Sequence, residues 1–123
     1  VLPECVPLKD AVKHWGNSAA LTAGLFKNDL KLIGRAVEDF IVEPVRASLI
    51  PNYYKIKEIA YKNGSLACNI SGSGPSIFAF AESEELADKI KYATNEFMVK
   101  CGNKFDIFVS KVNANGALLI DKK

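Results

Sequence analysis

Ser65-Leu66-Ala67-Cys68-Asn69-Ile70-Ser71-Gly72-Ser73-Gly74-Pro75-Ser76-Ile77-Phe78-Ala79-Phe80-Ala81 is the stretch where the hydrophobic period of the chain changes. Before it apolar residues recur every three or four positions; within it they run or alternate as in strands. Ser65 to Ile70 and Ile77 to Ala81 therefore read as two short buried strands, joined by the tight Ser71–Ser76 connection.

On the far side, Ser83 is an N-cap with Glu84 and Glu85 in the first turn, where the helix dipole favours anions. Leu86, Ile90, Ala93 and Phe97 follow on one helical face, and Gly102 ends that helix. Phe105 to Val112 and Ala117 to Asp121 then flank Asn113-Ala114-Asn115-Gly116, whose Asn-Gly supplies the positive φ angles of a hairpin turn. They are expected as a third and a fourth strand.

On the near side, Leu8, Val12, Trp15, Ala19, Thr22 and Phe26 line one helical face. Ala11, Ala20, Leu21, Ala23 and Leu25 form a second apolar stripe, so this helix is expected to be buried on more than one side. Asn28-Asp29 caps a second helix carrying Leu30, Ile33, Val37 and Phe40/Ile41. Pro44 opens a short segment through Leu49, because proline costs nothing in a first helical turn. Pro51 does the same for a helix with Tyr53, Ile56, Ile59 and Ala60, closed by Asn63-Gly64. The layout is an α+β domain: an antiparallel four-stranded sheet with helices packed on one face, its ββαββ ending ferredoxin-like.

Composition agrees with one such domain. The 123 residues are 49% apolar and 24% charged, with 16 Lys and Arg against 14 Asp and Glu. Bases scattered among acids argue against nucleic acid as a partner. No apolar run approaches the roughly 18 to 20 residues of a membrane span. The chain opens at Val1 without Met and enters directly on Leu2-Pro3, a beginning expected to be a cut rather than a start.

Cys5, Cys68 and Cys101 form no C-x-x-C pair and suggest neither a disulfide framework nor zinc; reduced thiols fit a cytoplasmic setting. The single histidine, His14, sits beside Trp15 in an apolar helical pattern and reads as structural rather than as a metal ligand or general base. No metal site is expected.

Two constellations could carry chemistry. In Ser71-Gly72-Ser73-Gly74 two glycines alternate with hydroxyl residues, exposing N–H and Oγ groups as an anion cradle does. A plain strand connection would read the same way. The stretch is neither a Walker loop, lacking Gly-Lys-Ser/Thr and a following helix, nor a dinucleotide fingerprint. Glu38-Asp39, Glu43-Pro44-Val45-Arg46 and Leu49-Ile50-Pro51 form the second. Arg46 in a proline-started turn is a rigid fork for a carboxylate or phosphate, or else a surface partner of Glu43 or Asp39.

Taken together, Glu38-Asp39, Glu43-Pro44-Val45-Arg46, Leu49-Ile50-Pro51 and Ser71-Gly72-Ser73-Gly74-Pro75-Ser76-Ile77-Phe78-Ala79 resemble the C-terminal half of the homoserine kinases. These belong to the galactokinase, homoserine kinase, mevalonate kinase and phosphomevalonate kinase (GHMP) superfamily. The Ser-Gly-Ser-Gly-Pro stretch is similar to the superfamily's third motif; Glu-Pro-x-Arg and Ile-Pro are more particular to homoserine kinases. Asn52 stands where that family typically has Gly, and Asn also tolerates unusual backbone angles.

The resemblance implies transfer of the ATP γ-phosphoryl group to the hydroxyl of L-homoserine, with Mg²⁺, on the route to threonine. It implies that Arg46 binds the substrate carboxylate and that Ser71, Gly72, Ser73 and Gly74 form a loop near the phosphates and the substrate. It identifies no catalytic residue. The family's phosphate-holding Gly-Leu-Gly-Ser-Ser-Ala loop has no counterpart here; Gly16-Asn17-Ser18-Ala19-Ala20 echoes it only superficially. Residues 1–123 are therefore expected to be a single C-terminal domain, lacking the N-terminal ATP-binding domain. Alone it should bind no ATP or Mg²⁺ and have no activity. Apolar surface on the first helix should face that missing domain, or drive homo-oligomers. Two other readings remain: a non-catalytic amino-acid-binding or regulatory domain, and a GHMP kinase with another acceptor such as mevalonate or a sugar.

Overall fold

The computed structural model describes residues 2–119. Helix α1 spans Leu8–Lys27 and ends where Asn28 takes the left-handed conformation. Helix α2 spans Leu30–Ala36, with the Asp29 carboxylate accepting the Leu32 amide at 3.0 Å as its cap. A single turn, α3 (Glu43–Arg46), has Pro44 at its start and runs on into a 3₁₀ turn over Ala47–Leu49. Helix α4 is Tyr53–Lys62, and α5 is Glu84–Lys100 with Ser83 Oγ accepting the Leu86 amide at 3.2 Å. Asn52 stands at φ +62°, a left-handed conformation that asparagine tolerates.

Strands β1 (Ala67–Ile70) and β2 (Ile77–Phe80) pair antiparallel, Ala67 opposite Phe80 and Ile70 opposite Ile77. Helices α4 and α5 pack together over β1 through Ala60, Cys68 and Ile90, flanked by Ile77 and Ala81. A second cluster, Ala47, Ile50 and Tyr53, takes Ile70 and Ile77 against it. The α+β class stands on these contacts. Gly34 lets α2 lie directly on the approach to β1: a Cβ there would come within 2.5 Å of the Leu66 carbonyl oxygen.

Three expectations need correction. Among the described residues the sheet has two strands. Phe105–Val112 and Ala117–Leu119 join no ladder, although the turn between them forms, with Asn113 Nδ2 donating to the Gly116 carbonyl at 2.7 Å. Part of the expected fourth strand, Ile120–Asp121, lies outside the described residues. Helix α1 is not buried on several sides: only Ala11 and Gly24 are buried, while Leu8 and Trp15 are 72% and 64% exposed. Leu8, Val12, Trp15 and Phe26 of its first stripe are left exposed among the described residues.

The third correction concerns α2, which stops at Ala36 instead of reaching Ile41. In a continued helix the Val37 and Glu38 carbonyls would accept the Ile41 and Val42 amides. Here both amides donate to Asp39 Oδ1, each at 2.8 Å. The carbonyls are taken by Asn69 Nδ2 and Asn17 Nδ2, again at 2.8 Å. Four side-chain bonds replace two helical ones, and the chain leaves the helix axis.

Candidate functional site

That exchange places the segment bearing Arg46. The Val37–Val42 turn is held by Asn17 from α1 and Asn69 from β1, and it delivers the chain to Glu43, the first residue of α3. Glu43 is only 6% exposed, and its Oε1 is paired with Lys57 Nζ from α4. Both partners are shielded from solvent, so each charge relies on the other. Below them lies Tyr53, also buried, its hydroxyl 3.4 Å from Asn69 Oδ1. Burial first, and then the Glu43 carboxylate, push that hydroxyl above the usual phenol range, which keeps it a proton donor. Burial likewise pushes the Cys68 thiol up to about 11.

Arg46 closes α3, half-buried, with its Nε out of contact with water and without a hydrogen-bond partner among the described residues. It makes no ion pair there with Glu43 or Asp39, so the surface-pair reading does not describe it. Asp39 instead faces His14, whose Nδ1 lies 3.7 Å from Asp39 Oδ1.

The Ser71–Ser76 connection is tied mainly to itself. The Ser71 amide donates to the Ser76 carbonyl at 2.8 Å and the Gly74 amide to the Ser71 carbonyl at 3.1 Å. The amides of Gly72 and Ser73 bond to no other described residue. Gly72 and Gly74 have φ of +60° and +76°, which explains glycine at both. Around Gly72 a side chain would meet nothing within 4 Å, whereas at Gly74 it would touch Ile50 Cδ1 at 3.1 Å and Ile70 Cγ2 at 3.3 Å.

The structure thus brings the two constellations together. Gly74 rests on Ile50, which closes the 3₁₀ turn continuing α3, and Ile70 and Ile77 share a core with Ala47, Ile50 and Tyr53. A cleft of about 340 Å³ runs between α1, the Val37–Val42 turn and this junction. Glu43, Asp39, Asn69, Asn17, His14 and Gly72 line it. Of the expected site residues only Gly72 reaches its wall; Arg46, Ser71, Ser73 and Gly74 lie behind or beside it. A shallow depression of about 400 Å³ over α5 holds none of them.

Sequence reading missed Asn17, Asn69, Lys57 and Tyr53. For Asn69 a signal existed: an amide between Cys68 and Ile70 in a buried strand must find partners. The acids near the cleft are only partly committed, since Glu43 Oε2 is buried without a hydrogen-bond partner among the described residues. Asp39 Oδ1 is committed to amides and Glu43 Oε1 to Lys57, and no group of three or more His, Cys, Asp or Glu among the described residues could hold an ion. No helix among those residues is long and apolar enough to cross a membrane.

The family described as GHMP kinases C terminal matches residues 21–100. A homoserine kinase of Chlorobium phaeobacteroides (strain DSM 266) is 47% identical over 98% of this chain, which covers 38% of that protein. One of Pyrococcus furiosus is 40% identical over 91% of the chain, covering 37% of it. A crystal structure of homoserine kinase from Cytophaga hutchinsonii superposes with a TM-score of 0.89 at 47% identity, over 92% of this chain and 36% of that one. The chain spans well under half the length of these relatives.

Proposed function

Because the chain belongs to the GHMP kinase C-terminal family, we propose that it is the C-terminal domain, over residues 1–123, of an ATP-dependent homoserine kinase. The intact enzyme transfers the γ-phosphoryl group of ATP to the hydroxyl of L-homoserine, a step of threonine biosynthesis. The observation that carries this reading is the contact of Gly74 with Ile50, which joins the glycine loop to the segment bearing Arg46. Two motifs far apart in sequence thereby serve one site.

Arg46 binds the carboxylate of homoserine; its Nε, unpartnered away from water, is a donor in need of an acceptor. Ser71, Gly72, Ser73 and Gly74 flank the phosphates, with the Gly72 and Ser73 amides free to donate. ATP supplies the transferred group, and such catalysis rests on positioning and charge neutralisation. On this reading the Mg²⁺ ligands belong to the N-terminal domain, and the isolated chain is inactive. The compartment is the cytoplasm, in keeping with free thiols at Cys5, Cys68 and Cys101.

The test is phosphorylation by the intact protein, offered homoserine, mevalonate and sugars. Homoserine is the expected acceptor, and Arg46→Ala lowers its kcat/KM roughly 100-fold, the loss of a bidentate charged contact. Preference for another acceptor, or an indifferent Arg46→Ala, defeats the assignment; so does homoserine-dependent ATP turnover by the 123-residue chain. The exposed Leu8, Val12 and Trp15 on α1 face the N-terminal domain in the intact enzyme and drive self-association without it. Light scattering of the isolated chain should therefore show oligomers, and a monomer at high concentration removes that role from α1.

A further inference from the structure

The carbonyls of Val37 and Glu38 are adjacent, and each is held by a side-chain amide from a different element. Asn69 reaches its carbonyl from β1 and Asn17 from α1, both at 2.8 Å. Resting on the kinase reading, we propose that Asn17 and Asn69 are positioning residues for the acceptor: their paired grip sets where α3 begins and hence where Arg46 stands. Val37 and Glu38 are the last backbone acceptors before Asp39 turns the chain, and α3 begins at Glu43. Glu43 is fixed from the opposite side by Lys57. Arg46 therefore hangs from a short segment pinned at both ends.

Asn69 does more than Asn17. Its Oδ1 accepts the Ile70 amide at 2.6 Å and lies 3.4 Å from the Tyr53 hydroxyl. Ile70 is the residue before the Ser71–Gly74 loop. One buried side chain thus links the turn before Arg46, the helix beneath it and the base of the glycine loop. Losing its amide leaves a carbonyl unmet and frees the turn from the strand.

The experiment uses the intact protein with Asn17→Ala, Asn69→Asp and the double variant. Asn69→Asp keeps the side-chain shape and an acceptor oxygen but replaces the donor to Val37. Hydrogen exchange of a peptide over residues 37–46 should quicken about tenfold in each single variant, as for one lost bond to a buried carbonyl, with α5 unaffected. Unchanged or slower exchange there overturns the grip. In steady-state kinetics the KM for homoserine should rise about tenfold while that for ATP stays within about twofold. Because both residues act on one turn, the double variant should be no worse than about twofold beyond the worse single. A lower melting temperature with both KM values unchanged reduces the pair to structural residues and overturns the proposal. If the wild-type protein turns over no homoserine, the parent reading fails, and exchange alone decides the grip.

Discussion

Val37–Arg46 and Ser71–Ser76 meet at Ile50 and are built in opposite ways. The first is gripped by side chains from α1, β1 and α4, and its Glu43 and Arg46 are sheltered. The second bonds to itself, lies exposed at all but Gly74, and leaves two amides uncommitted. The contrast teaches how one site can divide its labour. A guanidinium that must match a small acceptor gains from a fixed seat, whereas amides that meet a phosphate need only be open and unspent.

The strongest way to break the contrast is Lys57→Met. It strands the Glu43 carboxylate in a buried site and should cost about 3–5 kcal/mol in denaturant unfolding. An unchanged midpoint would mean that Val37–Arg46 is no more firmly anchored than the loop. Alkaline pH probes the layer beneath. Below pH 9 the Cys68 thiol is protonated in both states, and stability is intact. Between the ordinary value of 9.0 and about 11 the unfolded chain loses the proton and the folded chain keeps it. Stability should fall through that window by roughly 2 kcal/mol and level off above it. Tyr53, raised in the same direction, adds to the loss at the upper end. Cys68→Ala should flatten the decline in melting temperature between pH 8.5 and 10.5, and an unaltered slope would assign it to other groups.

The loop yields the smallest effects and divides within itself. Gly74→Ala places a methyl at positive φ against Ile50 and Ile70 and should cost about 2 kcal/mol; Gly72→Ala meets open space and should cost about 1 kcal/mol, for the backbone alone. Equal losses on thermal melting would show that the loop does not lean on Ile50.

The elements legible in the sequence were those whose signals are local. Asp29 and Ser83 cap the helices expected of them, Pro44 opens α3, and the period change at Ser65 marks β1 and β2. The end of α2 was not legible, because Val37, Phe40 and Ile41 keep helical spacing while the side chains that undo the helix come from positions 17 and 69. The strand pattern of Phe105–Val112 was legible too, yet alternation specifies a face and not a partner. At the site, Arg46 and the glycines were visible as residue types. Their junction through Ile50, and the support from Lys57 and Tyr53, depend on packing that no spacing encodes.

The turn that replaces the end of α2 also says something about the order in which the molecule assembles. Its two carbonyl contacts span 21 and 32 residues of chain, so they carry loop-closure entropy that a helical bond of four residues does not. Until α1 and β1 have docked, nothing but Asp39 opposes the local helix through Ile41. The seat of Arg46 is thus a late product of folding, complete only when the elements around it are in place.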